Sequence, residues 1–555
     1  MKLYSRVSAS ALFLSASLCA ATGAQAQAQA SAASLDLAAY GGALNRQTAS
    51  PVPISPRQFL VAARGLDGSA GTADDLTLLI TVNGTDSFRV DTLATPYLST
   101  GGSNFSVRVS STLAVIQSRG ADGNWESADD ALHILRGLGT MNSVTTFPLP
   151  GQRSGRAGRP VPLGSDSVIL STIGADEDDT TADDELIVVR ALSGIPSSQS
   201  IATPYLFDDG TSAPVLMSAD SLVVTNAGAD ELEGTADDGV HYVTNLFGTP
   251  AVTNVSVPYI YSLNPGTPVP VTTTSFLVSS VGPDESEETD DDELVLVEGL
   301  GGAVSNTEFS VPNILDYGGG RSAVLSPTLA VVSTQGADGS ERDADDSVWV
   351  LSDIGGANTL QEVIIGGLDE DAQARCQRIG ATQCALTTGG ADFTGPSLDD
   401  EVVVISDIGG TNALTRIVVP GLEERIISRV TVVNADTLMV ASGGADGDAG
   451  TGDDDVISVI TGVMSGAPEV TEIPSIGSFD SSSTARAHVP TLFPGSSIVA
   501  FISAGPDGSL GTADDLFRVI SLPDTRPVPV GGLWTSLMLI ASLLTLGLGF
   551  LRRRR

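Results

Sequence analysis

A glycine-led acidic turn recurs nine times along this chain of 555 residues, opening at Gly65, Gly120, Gly174, Gly228, Gly282, Gly336, Gly390, Gly444 and Gly505. The steps between openings are 55, then 54 six times, then 61. Two residues after each opening glycine stands an aspartate, and nine and ten residues after it an aspartate pair. The trios are Asp67 with Asp74 and Asp75, Asp122 with Asp129 and Asp130, Asp176 with Asp183 and Asp184, Asp230 with Asp237 and Asp238, and Asp284 with Asp291 and Asp292. They continue as Asp338 with Asp345 and Asp346, Asp392 with Asp399 and Asp400, Asp446 with Asp453 and Asp454, and Asp507 with Asp514 and Asp515. Nine matches at one offset define a repeat protein, in which each unit buries its apolar surface against its neighbours.

The copy around Gly336 shows what a unit contains. Ser322 to Ser326 is a short β segment, and Pro327-Thr328 turns the chain into Leu329 to Ser333. The acidic turn follows, then Val348 to Leu351, a break at Gly355-Gly356, and a fourth segment from Leu360 to Ile365. β-branched residues dominate, and no stretch sustains a 3.6-residue period. The two segments flanking the turn are nearly continuous in apolar residues (Leu186 to Val189, Val402 to Ile405), which predicts strands buried on both faces. The fourth segment alternates and belongs nearer an edge. An all-β fold of four-stranded units follows, predicted as a β-propeller of eight or nine blades, with an open β-solenoid or a row of small β domains as alternatives. The first three strands occur nine times, starting with Pro51-Val52-Pro53-Ile54, but the fourth only eight times. Copy nine runs from Leu516 to Ile520 straight into the C-terminal segment. The missing strand is predicted at Leu35 to Ala39, where it would clasp the first blade to the last.

The chain carries a net charge of −40, with Asp and Glu numbering 67. Of these, 44 fall within twelve residues of an opening glycine. Such a balance excludes ordinary nucleic-acid binding, since phosphate would be repelled. An apolar content of 41% supplies a real core and excludes a disordered acidic tail. Carboxylates gathered at fixed positions in a glycine-rich loop suit Ca²⁺, which takes six to eight oxygens from a curling backbone. The sequence therefore predicts Ca²⁺ at the nine trios. The competing reading is a solvated turn in which aspartates cap backbone amides, and a fixed trio exceeds what capping requires. His133 and His241 replace strand residues and read as structural, and His488 falls in a serine-rich loop. No Ser-His-Asp order, phosphate loop or His/Cys metal cluster stands out.

Cys376 and Cys384 flank Gly380 within one repeat and are predicted to form a local disulfide, the alternative being two buried thiols. Cys19 lies in the leader after Leu18, which does not suit lipidation. Residues 1–30 read as a secretory signal: Lys2 and Arg6, an apolar segment from Ala11 to Ala21, then Ala-Gln-Ala frames from Ala24. At the other end Pro527-Val528-Pro529 leads into an apolar run, Leu533 to Leu551, closed by four arginines, Arg552 to Arg555. Nineteen residues at helical rise just span a bilayer core, with the arginines on the cytoplasmic side, which by itself reads as a plain C-terminal membrane anchor. A Pro-containing motif, one helix and a terminal arginine cluster resemble the exosortase sorting signals known as PEP-CTERM and its relatives. Val528 stands where the PEP form has Glu, and Trp534 is similar to the Trp-containing variants. The resemblance covers residues 525–555. It implies an envelope protein held in the inner membrane until an exosortase-type enzyme cuts near Pro529.

Three segments follow: a leader over 1–30, a repeat ectodomain over 31–524 and the sorting signal over 525–555. The expected protein is a non-catalytic, calcium-stabilised array at the cell surface or in the extracellular matrix, for adhesion or contact with a surface polysaccharide. The alternative is a propeller enzyme acting on extracellular carbohydrate, which would show non-repeating charged residues at the ring axis.

Overall fold

Runs of four to eight residues rich in Val, Ile and Leu, cut by glycine turns too short for a helical crossover, can only double back on themselves. A computed structural model describes residues 31–44, 50–84, 86–98, 106–153, 158–174, 180–207, 212–315, 320–368, 374–393, 397–422, 428–443, 455–474, 479 and 488–522. Their strands form nine antiparallel sheets of four, arranged as a nine-bladed β-propeller. Residues Ala32–Ile520 make one unit. The leader and the sorting segment, with Pro527, Val528 and Pro529, lie outside the described residues. Among the described residues no helix is long and apolar enough to cross a membrane.

Blade six is typical, with strands Ala323–Ser326, Leu329–Thr334, Ser347–Ser352 and Thr359–Ile364. The second strand is buried at every position, while the fourth is largely exposed. Period-two alternation divides the second strand between its neighbours. Leu329 and Val331 join a core with blade seven that includes Leu386, Val403 and Ile405. Ala330 and Val332 join the core with blade five that includes Leu277, Leu294 and Leu296. The core is therefore a set of inter-blade seams, which is why the central strands read as apolar on both faces. The first strands of adjacent blades approach one another around the ring and so face its axis.

Closure is made by the N-terminus. Strand Ser31–Asp36 adds to the outer side of Leu516–Ser521 in blade nine, whose other strands are Ile498–Ser503 and Thr491–Leu492. The strand expected at Leu35 to Ala39 thus lies earlier. Asp36 Oδ1 accepts the Ala38 amide at 2.8 Å, and a turn over Ala38–Tyr40 ends the strand before Leu37. Across the closing seam the Thr491 hydroxyl donates to the Pro51 carbonyl at 3.0 Å, as Thr431 does to Pro490 at 2.9 Å one blade earlier. The Phe517 ring lies 5.8 Å from Phe59 and 6.0 Å from Phe88 of blade one. The last joint is built like the others.

Cys376 and Cys384 form a disulfide with Cα atoms 5.5 Å apart, tying the entry of the first strand of blade seven, Gln377–Gly380, to its second, Gln383–Thr388. The predicted local disulfide is thus present, with both cysteines buried in the seam with blade six.

Candidate functional site

The acidic turn joins the second and third strands of each blade. Its opening glycine has a positive φ, +78° at Gly336 and +67° at Gly505. A Cβ there would sit 2.5 Å from the Asp345 carbonyl or 2.2 Å from that of Asp514. Only glycine accepts both conditions.

The three aspartates of a trio have three different partners. In blade one Asp67 Oδ1 accepts the Ser69 amide at 2.7 Å. Asp74 Oδ2 accepts the Asp67 amide at 2.9 Å, and its Oδ1 accepts the Thr72 hydroxyl at 2.7 Å. Asp75 is fully buried, and its Oδ2 accepts the amides of Gly71, Thr72 and Leu98 at 2.9, 3.1 and 2.8 Å. The first two bonds close the turn on itself. The third reaches the linker that carries the chain into blade two. The same first bond recurs from Asp122 to Asn124, Asp230 to Leu232, Asp284 to Ser286, Asp338 to Ser340 and Asp507 to Ser509. The hydroxyl bond recurs at Asp129, Asp183, Asp237, Asp291, Asp399 and Asp514. Hydroxyl donation holds the Asp74 and Asp399 carboxyls below their ordinary range, from Thr72 and Ser397 respectively.

The second member of the pair clasps each blade to the next. Asp130 accepts the Gln152 amide at 3.1 Å, Asp184 that of Leu206 at 2.8 Å, Asp238 that of Ile260 at 2.9 Å, Asp292 that of Ile314 at 2.8 Å and Asp346 that of Leu368 at 2.6 Å. Asp400 accepts from Leu422. Asp515 accepts from Ala43 at 2.8 Å, so the N-terminal segment supplies both the missing strand and the missing linker. Blade eight corrects the sequence register. Its turn is one residue longer, and the buried aspartate is Asp455, which accepts the Phe479 amide at 2.5 Å. Asp446, Asp453, Asp454 and Asp176 lie outside the described residues. Burial pushes Asp75, Asp130, Asp292, Asp346 and Asp515 up to about 7, Asp238 to about 8 and Asp400 to about 6. It also raises Asp184 to about 6, where the Arg153 guanidinium at 2.6 Å offsets part of the effect.

Blade six breaks the pattern. Seven residues after the opening glycine the other turns carry Ser or Thr, but blade six carries Asp343. A hydroxyl donor thus becomes a third acceptor. Asp338, Asp343 and Asp345 present ligand oxygens within 4.8 Å of one another. Partial burial and the adjacent Asp345 raise the Asp343 carboxyl. This is the cation candidate among the described residues. Sequence reading named Asp338 and Asp345 and passed over Asp343, because it followed the residues shared by all copies. The signal was the one copy that differs.

His133 and His241 are structural, as expected. Each is buried, with Nε2 2.9 Å from the carbonyl of Pro96 or Pro204 in the linker before its own blade. His488 is buried against Phe479, ring centroids 5.0 Å apart, and its Nδ1 lies 2.6 Å from the Ile502 carbonyl. The serine run beside it had suggested a solvent loop.

No protein-family model matches the chain, and no curated protein matches it. Solved propellers do. Sqt1 from Chaetomium thermophilum aligns over 74% of this chain and 92% of its own, at 12% identity and a TM-score of 0.41. The WD40 domain of SCAP from fission yeast aligns over 86% and 96%, at 9% identity and a TM-score of 0.33. A post-proline cleaving enzyme from Rickettsia typhi aligns over 75% of this chain, at 7% identity and a TM-score of 0.36, and the match spans 57% of that enzyme. At these values the likeness concerns the fold alone.

Proposed function

We propose that the chain is an exported, non-catalytic propeller of the cell surface or extracellular matrix, whose acidic face takes Ca²⁺ and whose loops contact a surface polysaccharide. The observation that carries this reading is the repeated use of one face. An antiparallel meander brings every turn between second and third strands to the same end of the ring, so all nine acidic turns are displayed together. Calcium finds its best support in blade six, where Asp343 removes the hydroxyl that elsewhere satisfies the carboxylates. Export rests on the leader character of residues 1–30. Handling by an exosortase-type enzyme, with passage through the inner membrane, rests on the resemblance over residues 525–555.

The test is a melting curve of the full chain in chelator, Mg²⁺ and Ca²⁺ at matched ionic strength. Ca²⁺ is expected to raise the Tm beyond Mg²⁺, with affinity on the order of 10⁻⁴ to 10⁻³ M as in extracellular modules. Asp343→Thr, which restores the repeat's hydroxyl, should remove most of that difference. Equal shifts with the two cations would leave the turns as turns and end the calcium reading.

A second reading, an enzyme acting on extracellular carbohydrate, draws on arginines near the axis. Arg375 and Arg378 line a cavity of about 440 Å³ with Val269, Pro270 and Ser326. Arginine can hold a charged substrate but stays protonated at neutral pH and supplies no general base.

A further inference from the structure

Among the described residues, the strands that line the ring axis carry arginine and no acid. The first strands of the nine blades read VPIS, VRVS, VP, VLMS, VPVT, AVLS, QRIG, TVVN and TL, without a single Asp or Glu in a chain that has 67. The two residues that lead into each strand contain no acid either. Yet six arginines stand on this wall. Arg159, Arg321, Arg375 and Arg429 each lie two residues before a first strand, in blades three, six, seven and eight, at spacings of 162, 54 and 54. Arg108 and Arg378 share one position within the strand, in blades two and seven. The repeat thus brings four guanidinium groups to one level of the axis, at its mouth on the acidic face.

Partial desolvation and then repulsion from Arg429 and Arg159 lower Arg321 to about 10, and burial with repulsion from Arg321 and Arg429 lowers Arg375 to about 9. All remain charged at neutral pH. Arg159 and Arg321 belong to blades three apart, so their repulsion acts across the axial space. Arg429 donates to Gln377 Oε1 at 3.0 Å, and the buried Nε of Arg321 has no hydrogen-bond partner. Like charges gathered at low solvent access oppose folding unless an opposite charge joins them.

We propose that the axial mouth formed by Arg159, Arg321, Arg375 and Arg429 is a binding site for a compact oxyanion, a carboxylate or phosphate group. Guanidinium forks match such groups with paired, charge-assisted hydrogen bonds. The surrounding rim of acidic turns repels extended polyanions, so the ligand is a small molecule or the single charged end of a neutral one. The inference is independent of the calcium and adhesion readings.

The test uses the full chain and the triple variant Arg321→Gln, Arg375→Gln, Arg429→Gln, titrated with inorganic phosphate, glucuronate and chloride at matched ionic strength. Phosphate or glucuronate should stabilise the wild type saturably, with one site per ring, and chloride should not. Whichever is tighter distinguishes a phosphate from a carboxylate ligand. The triple variant should lose the saturable shift and melt higher than wild type in plain buffer, because the repulsion is gone. If that variant does not fold, Arg321→Lys keeps the charge and loses the fork. It should weaken binding at least ~10-fold, the worth of one charge-assisted bond. An equal shift with chloride, or an unchanged shift in either variant, would overturn the site.

Discussion

Asp238 shows what the second aspartate of each pair does at the scale of one residue. Its Oδ2 gathers amides from its own turn and from the linker to the next blade, at 3.0 Å from Thr235 and 2.9 Å from Ile260. Its Oδ1 is buried with no protein partner, as are those of Asp75, Asp130, Asp292, Asp346 and Asp515. A carboxyl arranged in this way holds its proton more tightly folded than unfolded, where its pKa is about 4. The sign follows by linkage. The stability it contributes is complete below about pH 4 and is lost as pH rises through about 6 to 8. Asp74, Asp129, Asp237, Asp399 and Asp514, held below the ordinary carboxylate range, are ionised in both states over that range and add no slope. His133 and His241, lowered by burial, act in the opposite direction but are only two. The Tm of the full chain should therefore fall between pH 5 and pH 8. Asp238→Asn keeps an acceptor for the same amides and should flatten that fall by about an eighth, as one of eight comparable groups. A Tm that rises with pH would contradict this account of the buried carboxylates.

At the scale of the element, the decisive piece is the N-terminal segment Ser31–Leu44, which stands in for a whole strand and linker. Without it, Leu516–Ser521 becomes an unpaired edge, and Asp515 loses the Ala43 amide. Deleting residues 31–44 should lower the Tm and broaden the transition. Phe517→Ala, which empties the seam against Phe59 and Phe88, should cost ~3–5 kcal/mol in denaturant unfolding, as for other buried aromatics. A variant as stable as wild type in both cases would mean that the ring does not depend on this joint. The count of strands made the clasp visible in the sequence, since three strands occurred nine times and the fourth eight. Its register was not visible. Asp36 looks like any strand residue until its carboxylate is seen capping the turn at Ala38. The acidic trios were equally legible as positions and less so as chemistry. Spacing gave three carboxylates per turn, but only the folded turn shows Thr72 and its equivalents donating between them. The arginine hub was hidden for another reason. Its members stand 54 residues or more apart, and only closure of the ring brings them together.

For the molecule as a whole, the meander imposes one consequence that no single turn reveals. Every blade delivers its acidic turn to the same end of the ring, so two-thirds of the chain's acids share one face. Within a turn, hydroxyl and amide donors satisfy the carboxylates. Between turns, Arg119 lies against Gly71 of blade one and Arg64 against Gly511 of blade nine, and the remaining repulsion acts through solvent, where salt screens it over about 10 Å at 0.1 M ionic strength. Stability should accordingly rise with NaCl, and most steeply below 0.1 M, where the Debye length is longer than about 10 Å. Blade five carries the densest turn, with eight acids in the twelve residues from Gly282. Replacing Glu285 and Glu288 by Gln removes two charges and leaves in place the Asp284 and Thr289 bonds to Asp291 and Asp292. That variant should gain up to about 1 kcal/mol at low salt and close to nothing at high salt, the range of exposed charge interactions. The comparison belongs in chelator, so that screening is read apart from any bound cation. A gain that persists undiminished at high salt would assign the effect to backbone preference at these two positions. A flat salt response of the wild type would show that the nine turns do not feel one another, and the common face would then have no energetic consequence.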